Sequence, residues 1–195
     1  EATRKPICAT NWRPANIKRP SNKRAKKFNK LIYMNATIKE SLWKQFGASI
    51  DMLENAINLC TDELWEDRMF WYSSYHCLFW LDYYLTPEPN SFTPPSPFRL
   101  SEFDPEGALP DRVYSKSELL SYLQHNRQKC HQLIASMTDE VANSRWINEF
   151  KNYSIFEITL YNMRHVQHHA AQLNLLLRQG IKNAPNWVGQ TKENL

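Results

Sequence analysis

Two histidines, His165 and His169, stand four residues apart in the run Arg164-His-Val-Gln-His-His-Ala-Ala-Gln172. On an α-helix four residues turn the side chain by about 40°, so both imidazoles leave one face. Ile158 and Leu176 fall between them, which makes this the apolar face, and Asn162 and Gln172 flank the same stripe. An i, i+4 pair of neutral imidazoles puts two nitrogen ligands within reach of one cation, the geometry used by HExxH helices. Two ligands hold a metal poorly, so a third must come from another element. His76 is the candidate, because it is the only histidine in a segment whose aromatic content requires burial. Three imidazoles with no thiolate or carboxylate suit Zn or Ni, with Fe or Mn as alternatives, and leave at least one coordination position open. Such a site can acidify water or bind a thiol as thiolate.

The competing reading is ordinary packing. A single buried histidine is more often a hydrogen-bonded core residue than a ligand, but burying two without partners costs several kcal/mol. His168 could replace His169 through an i, i+3 pairing. It is centred less well on the apolar stripe and is read as a flanking residue. Tyr72 and Trp80, four residues either side of His76, project toward the same face and are candidates to wall a pocket or position substrate, although ordinary core packing is the commoner role for each. Asp82 and Glu157 are the nearest carboxylates in sequence, and neither stands out as a general base. His125 and His131 lie among Gln124, Asn126, Arg127, Gln128 and Gln132 and are expected to face solvent.

Four helices must position these residues. Ile38, Leu42, Phe46, Ile50, Leu53 and Ile57 form one stripe and predict a helix from about Ile38 to Leu59, opened by a capping box at Thr37-Ile-Lys-Glu40. Cys-Thr-Asp-Glu-Leu-Trp (60–65) breaks it. A second helix, from about Arg68 to Leu85, is aromatic nearly all round and must be buried on several sides. Ser115-Lys-Ser-Glu118 opens a third, to about Met137, with Leu119, Leu123, Cys130, Leu133 and Ile134 inward. Ser154-Ile-Phe-Glu157 opens a fourth, ending at Arg178-Gln-Gly180 in a glycine cap. Between the second and third helices, residues 86–114 hold seven of the 11 prolines, too long a stretch for a simple connector and a candidate cover for the site. With no strand pattern of comparable quality, the fold class is all-α, a four-helix bundle.

Charge divides the chain. Residues 1–33 contain ten of the 24 Lys and Arg and one of the 20 acidic residues, a net of +9. The remaining 14 basic and 19 acidic groups give −5. The expected organisation is a basic N-terminal extension, 1–33, outside a folded unit beginning near Met34 and running to 195: a tail, a processed targeting segment or upstream sequence. Four glycines in 195 residues exclude Gly-rich phosphate loops and hairpin-rich architectures, and no GxGxxG or GxxxxGK[ST] occurs. The four cysteines lack CxxC spacing, so reduced thiols in a cytoplasmic protein are expected, with no membrane span.

The run HVQHHAAQL (165–173) resembles the HxxxHHxGQ-type signature on the last helix of the DinB-like superfamily, departing from it at Ala170-Ala171. Tyr-His-Cys-Leu-Phe-Trp-Leu-Asp (75–82) is similar to that family's second helix, and residues 60–65 to the segment joining its first two. The similarity covers roughly Met34 to Arg178. It implies up-down-down-up helix connectivity, a divalent metal held by His76, His165 and His169, and often a homodimer. Relatives include transferases and isomerases that use low-molecular-weight thiols.

The function expected is a metal-dependent enzyme acting on a small molecule, as a thiol-dependent transferase or a hydrolase. One alternative is a non-catalytic metal-binding bundle. Another is nucleic-acid binding through the basic segment, where Trp12 and Phe28 interleave with ten cations. Such tails are more often merely solvated, and the bundle is acidic.

Overall fold

The computed structural model describes residues 34–195; the basic segment 1–33, with Trp12, Phe28 and Cys8, lies outside the described residues. The long helices are α1 (Ala36–Leu59), α3 (Phe70–Tyr84), α4 (Lys116–Ser136) and α6 (Ile155–Gly180). Short α2 (Asp62–Glu66) occupies the break after α1, capped by the Thr61 side chain. Short α5 (Asp139–Asn143) and an antiparallel hairpin, β1 (Arg145–Ile147) with β2 (Asn152–Ser154), precede α6. The pattern of residues had suggested neither short helices nor a hairpin there; three-residue strands are too short to show a period of two.

Three of the four long helices, α1, α4 and α6, start where a side chain accepts an orphan backbone N–H, while α3 follows Met69 in the left-handed conformation with no side-chain cap. Ser115 and Glu118 form the full reciprocal box at α4, and Ser154 accepts from the Glu157 amide at α6. At α1 the cap is Asn35, whose Oδ1 accepts from Ile38 N at 2.9 Å, rather than the expected Thr37. Asn35 precedes Thr37 and caps as well, so the helix extends to it. The far end of α6 also differs from the glycine cap expected there. Gly180 is the last helical residue, followed by Ile181 as cap and by Lys182 in the left-handed conformation. The glycine is needed for closeness: a Cβ on Gly180 would stand 2.9 Å from Leu64 Cδ1.

Packing orders the four long helices so that α1 and α3 each lie against both α4 and α6. Contacts along their lengths give the directions. Lys39 at the start of α1 bonds the Ala135 carbonyl at the end of α4, while Lys116 at the start of α4 bonds the Cys60 carbonyl after α1, so these two are antiparallel. Trp71 meets Tyr114 near the starts of α3 and α4, and Lys129 meets Thr86 toward their ends, so these two are parallel. Tyr84 at the end of α3 meets Tyr161 near the start of α6. The order is up-down-down-up, as the family resemblance implied.

Every residue of α3 except Ser73 and Trp80 is buried, which accounts for its aromatic character on all sides. On α4 the polar residues around His125 and His131 do not share one environment. Asn126 and Arg127 are buried, not solvent-facing: Asn126 Nδ2 donates to the Leu78 carbonyl at 2.9 Å, and Arg127 bridges Asp51 and Glu54 at 2.7 and 2.8 Å. His125 is exposed as expected. His131 is half-buried, edge-on to Trp43, and donates to the Asn194 carbonyl. The C-terminal segment is laid along α1: Thr191 N bonds the Lys44 carbonyl, and Trp43 Nε1 donates to the Glu193 carbonyl.

That segment needs Gly47, because a Cβ there would stand 2.6 Å from Thr191 Cγ2 and 2.9 Å from its Cβ. Gly→Ala inside a helix ordinarily gains up to about 1 kcal/mol, whereas overpacking costs about 1–3 kcal/mol. Gly47→Ala should therefore lower the denaturant midpoint, and combining it with Thr191→Gly should remove the loss; chemical unfolding of the three variants checks both signs.

Candidate metal centre

The site is built where α3 crosses α6. His165 and His169 project from one face of α6, and His76 faces them from the middle of α3. Ring centroids lie 4.5 Å apart for His165–His169, 4.9 Å for His76–His169 and 5.8 Å for His76–His165. Each residue offers one nitrogen such that the three lie within 4.8 Å of one another. Two ligands of a single ion at about 2.1 Å stand at most about 4.2 Å apart, so small ring rotations bring the set to coordination distance.

The surroundings fit a cation better than a hydrogen-bonded core. Neither nitrogen of His169 has a hydrogen-bond partner, nor does His165 Nδ1, and all three atoms are shielded from solvent. Orphaned buried nitrogens of this kind are costly in a folded chain. Burial, followed by the neighbouring imidazoles His76 and His168, drives the His169 pKa down to about 3. Burial and the charges of His169 and His76 push His165 well below its usual range. Both rings are thus neutral near pH 7, with a lone pair free to donate.

Glu102 completes the arrangement. Its Oε2 lies 2.6 Å from His76 Nδ1 and accepts from Trp80 Nε1 at 3.1 Å. Burial favours the protonated acid, but the hydrogen bond and charge of His76, with Tyr72 and Trp80, outweigh it and keep the pKa low. An anionic carboxylate on Nδ1 fixes the orientation of His76 and leaves Nε2 as the nitrogen that could serve a metal. Tyr72 is buried beside the same carboxylate; burial and the Glu102 charge raise its phenol, which stays neutral.

A family model for the DinB superfamily matches residues 45–173, a span that includes all three histidines and Glu102. The chain belongs to the DinB superfamily. No curated protein and no solved structure matches it. For this DinB-superfamily chain the geometry sorts the residues singled out from sequence. His76, His165 and His169 come together, and this group could hold a metal ion. Tyr72 and Trp80 flank His76, each with ring centroids 6.2 Å away. His168 is exposed and pairs with Gln172 at 3.1 Å, so both stand outside the three-histidine group. Asn162 is buried and ties the helices together by donating to the Leu81 carbonyl at 2.9 Å.

Neither carboxylate considered from sequence reaches the histidines. Glu157 is exposed at the start of α6, and Asp82 points to α4, where it accepts from Tyr122 and Lys129 at 2.9 and 2.6 Å. Glu102 was missed because it sits in the proline-rich stretch, where no periodicity assigns a face. The available signal was a single acid between the apolar residues Leu100 and Phe103 in a segment already suspected of covering the site.

Outer carboxylates of this type change metal affinity by about 10–100-fold. Glu102→Gln, which keeps the shape, should weaken binding of a divalent ion by that factor while leaving the circular dichroism spectrum unchanged. Competition with a chromophoric chelator provides the measurement.

Proposed function

We propose that the protein is a divalent-metal-dependent enzyme with His76, His165 and His169 as ligands, acting as a thiol-dependent transferase or as a hydrolase. The observation that carries this reading is the buried three-histidine group with its unpartnered nitrogens. Zn or Ni best suits such a donor set. A divalent ion held there supplies Lewis-acid charge that lowers the pKa of a thiol or water beside it.

The chain's own residues prepare that chemistry. Glu102 orients His76, and the low-dielectric surroundings keep His165 and His169 unprotonated. Trp80, Tyr84 and Phe103 form an aromatic wall: Trp80 lies 5.5 Å from Tyr84 and 5.7 Å from Phe103. Such a wall excludes water and accepts an apolar substrate body. His165 is only half-buried, which leaves the group an approach from solvent. A thiol, where one is used, is not supplied by the described cysteines. Among the described residues the cysteines are buried; burial raises the Cys60 thiol to about 11 and pushes Cys77 and Cys130 higher still.

A non-catalytic metal-binding bundle is the second reading, favoured by the complete burial of His169. Turnover of a panel of electrophilic substrates by metal-loaded protein, with and without small thiols, separates the two. Metal-dependent turnover requiring a thiol identifies the transferase, and turnover in water alone the hydrolase. No turnover, together with strong destabilisation on chelation, would leave the structural role.

A further inference from the structure

The hairpin before α6 puts a cation beside the histidine group. Trp146 of β1 is fully buried, packs on Tyr83 and Tyr84, and donates from Nε1 to the Thr86 carbonyl at 2.8 Å. In the turn, Asn148 Oδ1 accepts from the backbone N–H groups of Phe150 and Lys151 at 2.9 and 2.7 Å, and Asn148 Nδ2 lies 3.1 Å from the Tyr83 hydroxyl. The backbone of Lys151 is therefore fixed against the end of α3.

Its side chain reaches over two aromatic rings, with Nζ 5.3 Å from the Tyr161 centroid and 5.8 Å from that of Tyr84. Tyr84 in turn stands 6.0 Å, edge-on, from His165. Lys151 lies close enough for its charge to disfavour protonation of His165. The ammonium is half-buried, which disfavours its charged form, and it has no ion pair or hydrogen bond among the described residues. This contrasts with Lys129, whose ammonium is held by Asp82 and Thr86, and with Arg127, held by Asp51 and Glu54. A partly desolvated ammonium next to a site of unpartnered ligand atoms lacks only an anion, and its position on the rim of that site says where the anion comes from.

We infer that Lys151 binds a carboxylate of the substrate or thiol cosubstrate, whose reacting end faces His165 and His169. The inference rests on the metal-site reading and extends it to a substrate class: a small molecule with an apolar or thiol-bearing end and a carboxylate several ångströms away. One compact ammonium matches one negative charge, and the rings of Tyr84 and Tyr161 hold it in place without neutralising it.

The test uses the full chain loaded with Co(II), whose visible absorption reports ligands entering the histidine group. Two thiols of equal length are titrated, 3-mercaptopropionate and the neutral 3-mercaptopropionamide. The carboxylate should bind about tenfold more tightly, the size of one charge-assisted contact. The preference should vanish in Lys151→Met and persist in Lys151→Arg; if the Met variant fails to fold, Lys151→Gln takes its place. Equal affinities in the wild type, or a preference that survives removal of the ammonium, would overturn the inference while leaving the metal site intact. Failure of the wild type to take up cobalt would overturn the metal site, and this inference with it.

Discussion

The parallel arrangement of α3 and α4 is the constraint on which the site depends. Two neighbouring helices running in the same direction cannot be joined by a short turn; the chain must travel back along the whole length of the first. For the 15 residues of α3 that distance is about 22 Å. Residues 85–115 make the return as an ordered strap. Phe92 packs edge-on against Phe79 at 5.2 Å, Phe98 stacks on Tyr122 at 4.3 Å, and Tyr75 donates to the Arg99 carbonyl at 2.8 Å. Prolines suit such a path because they stiffen chain that cannot become helix. The strap passes over the middle of α3, where His76 lies, and Glu102 reaches that histidine there. Topology thereby supplies the carboxylate that the helices lack at this point.

Among the described residues the buried charged and amide side chains make at least one polar contact each, whereas His169 makes none through either ring nitrogen. Asp82 is nearly inaccessible but accepts from Tyr122 and Lys129. Arg127 is buried against Asp51 and Glu54, and Asn126 and Asn162 each donate to a backbone carbonyl of α3. These pairings offset the desolvation cost that unpaired groups would incur. The unpartnered nitrogens of His165 and His169 depart from this pattern together, facing His76, whose other ring nitrogen is already committed to Glu102. A cation held among the three rings would give these unpartnered nitrogens the partner they lack. This is why a metal explains the cluster better than packing does.

What could be read from the residues was what depends on local periodicity. The 3.6-residue repeat placed His165 and His169 on the inner face of α6, and the all-round aromatic character of α3 marked His76 as buried. The repeat also located the four long helices to within a few residues. Features set by tertiary contacts could not be read in this way. Asn126 and Arg127 look like a solvated face until the acids of α1 are placed opposite. Gly180 has the spelling of a helix cap, but its role is to let Leu64 approach. Glu102 and Lys151 lie in a strap and a hairpin turn, where no period assigns a direction, so their proximity to the histidines exists only after folding. The three histidines were legible because they sit on helices, and Glu102 and Lys151 were not because they sit on connections.

The metal is the claim on which the remaining chemistry rests, and anomalous diffraction at the zinc absorption edge, from crystals of the zinc-loaded protein, tests it most directly. The account predicts one strong peak per chain, about 2.1 Å from a nitrogen of each of His76, His165 and His169, with Glu102 still on Nδ1 of His76. A map with no peak among these three rings, or with zinc held only by surface carboxylates, would contradict it.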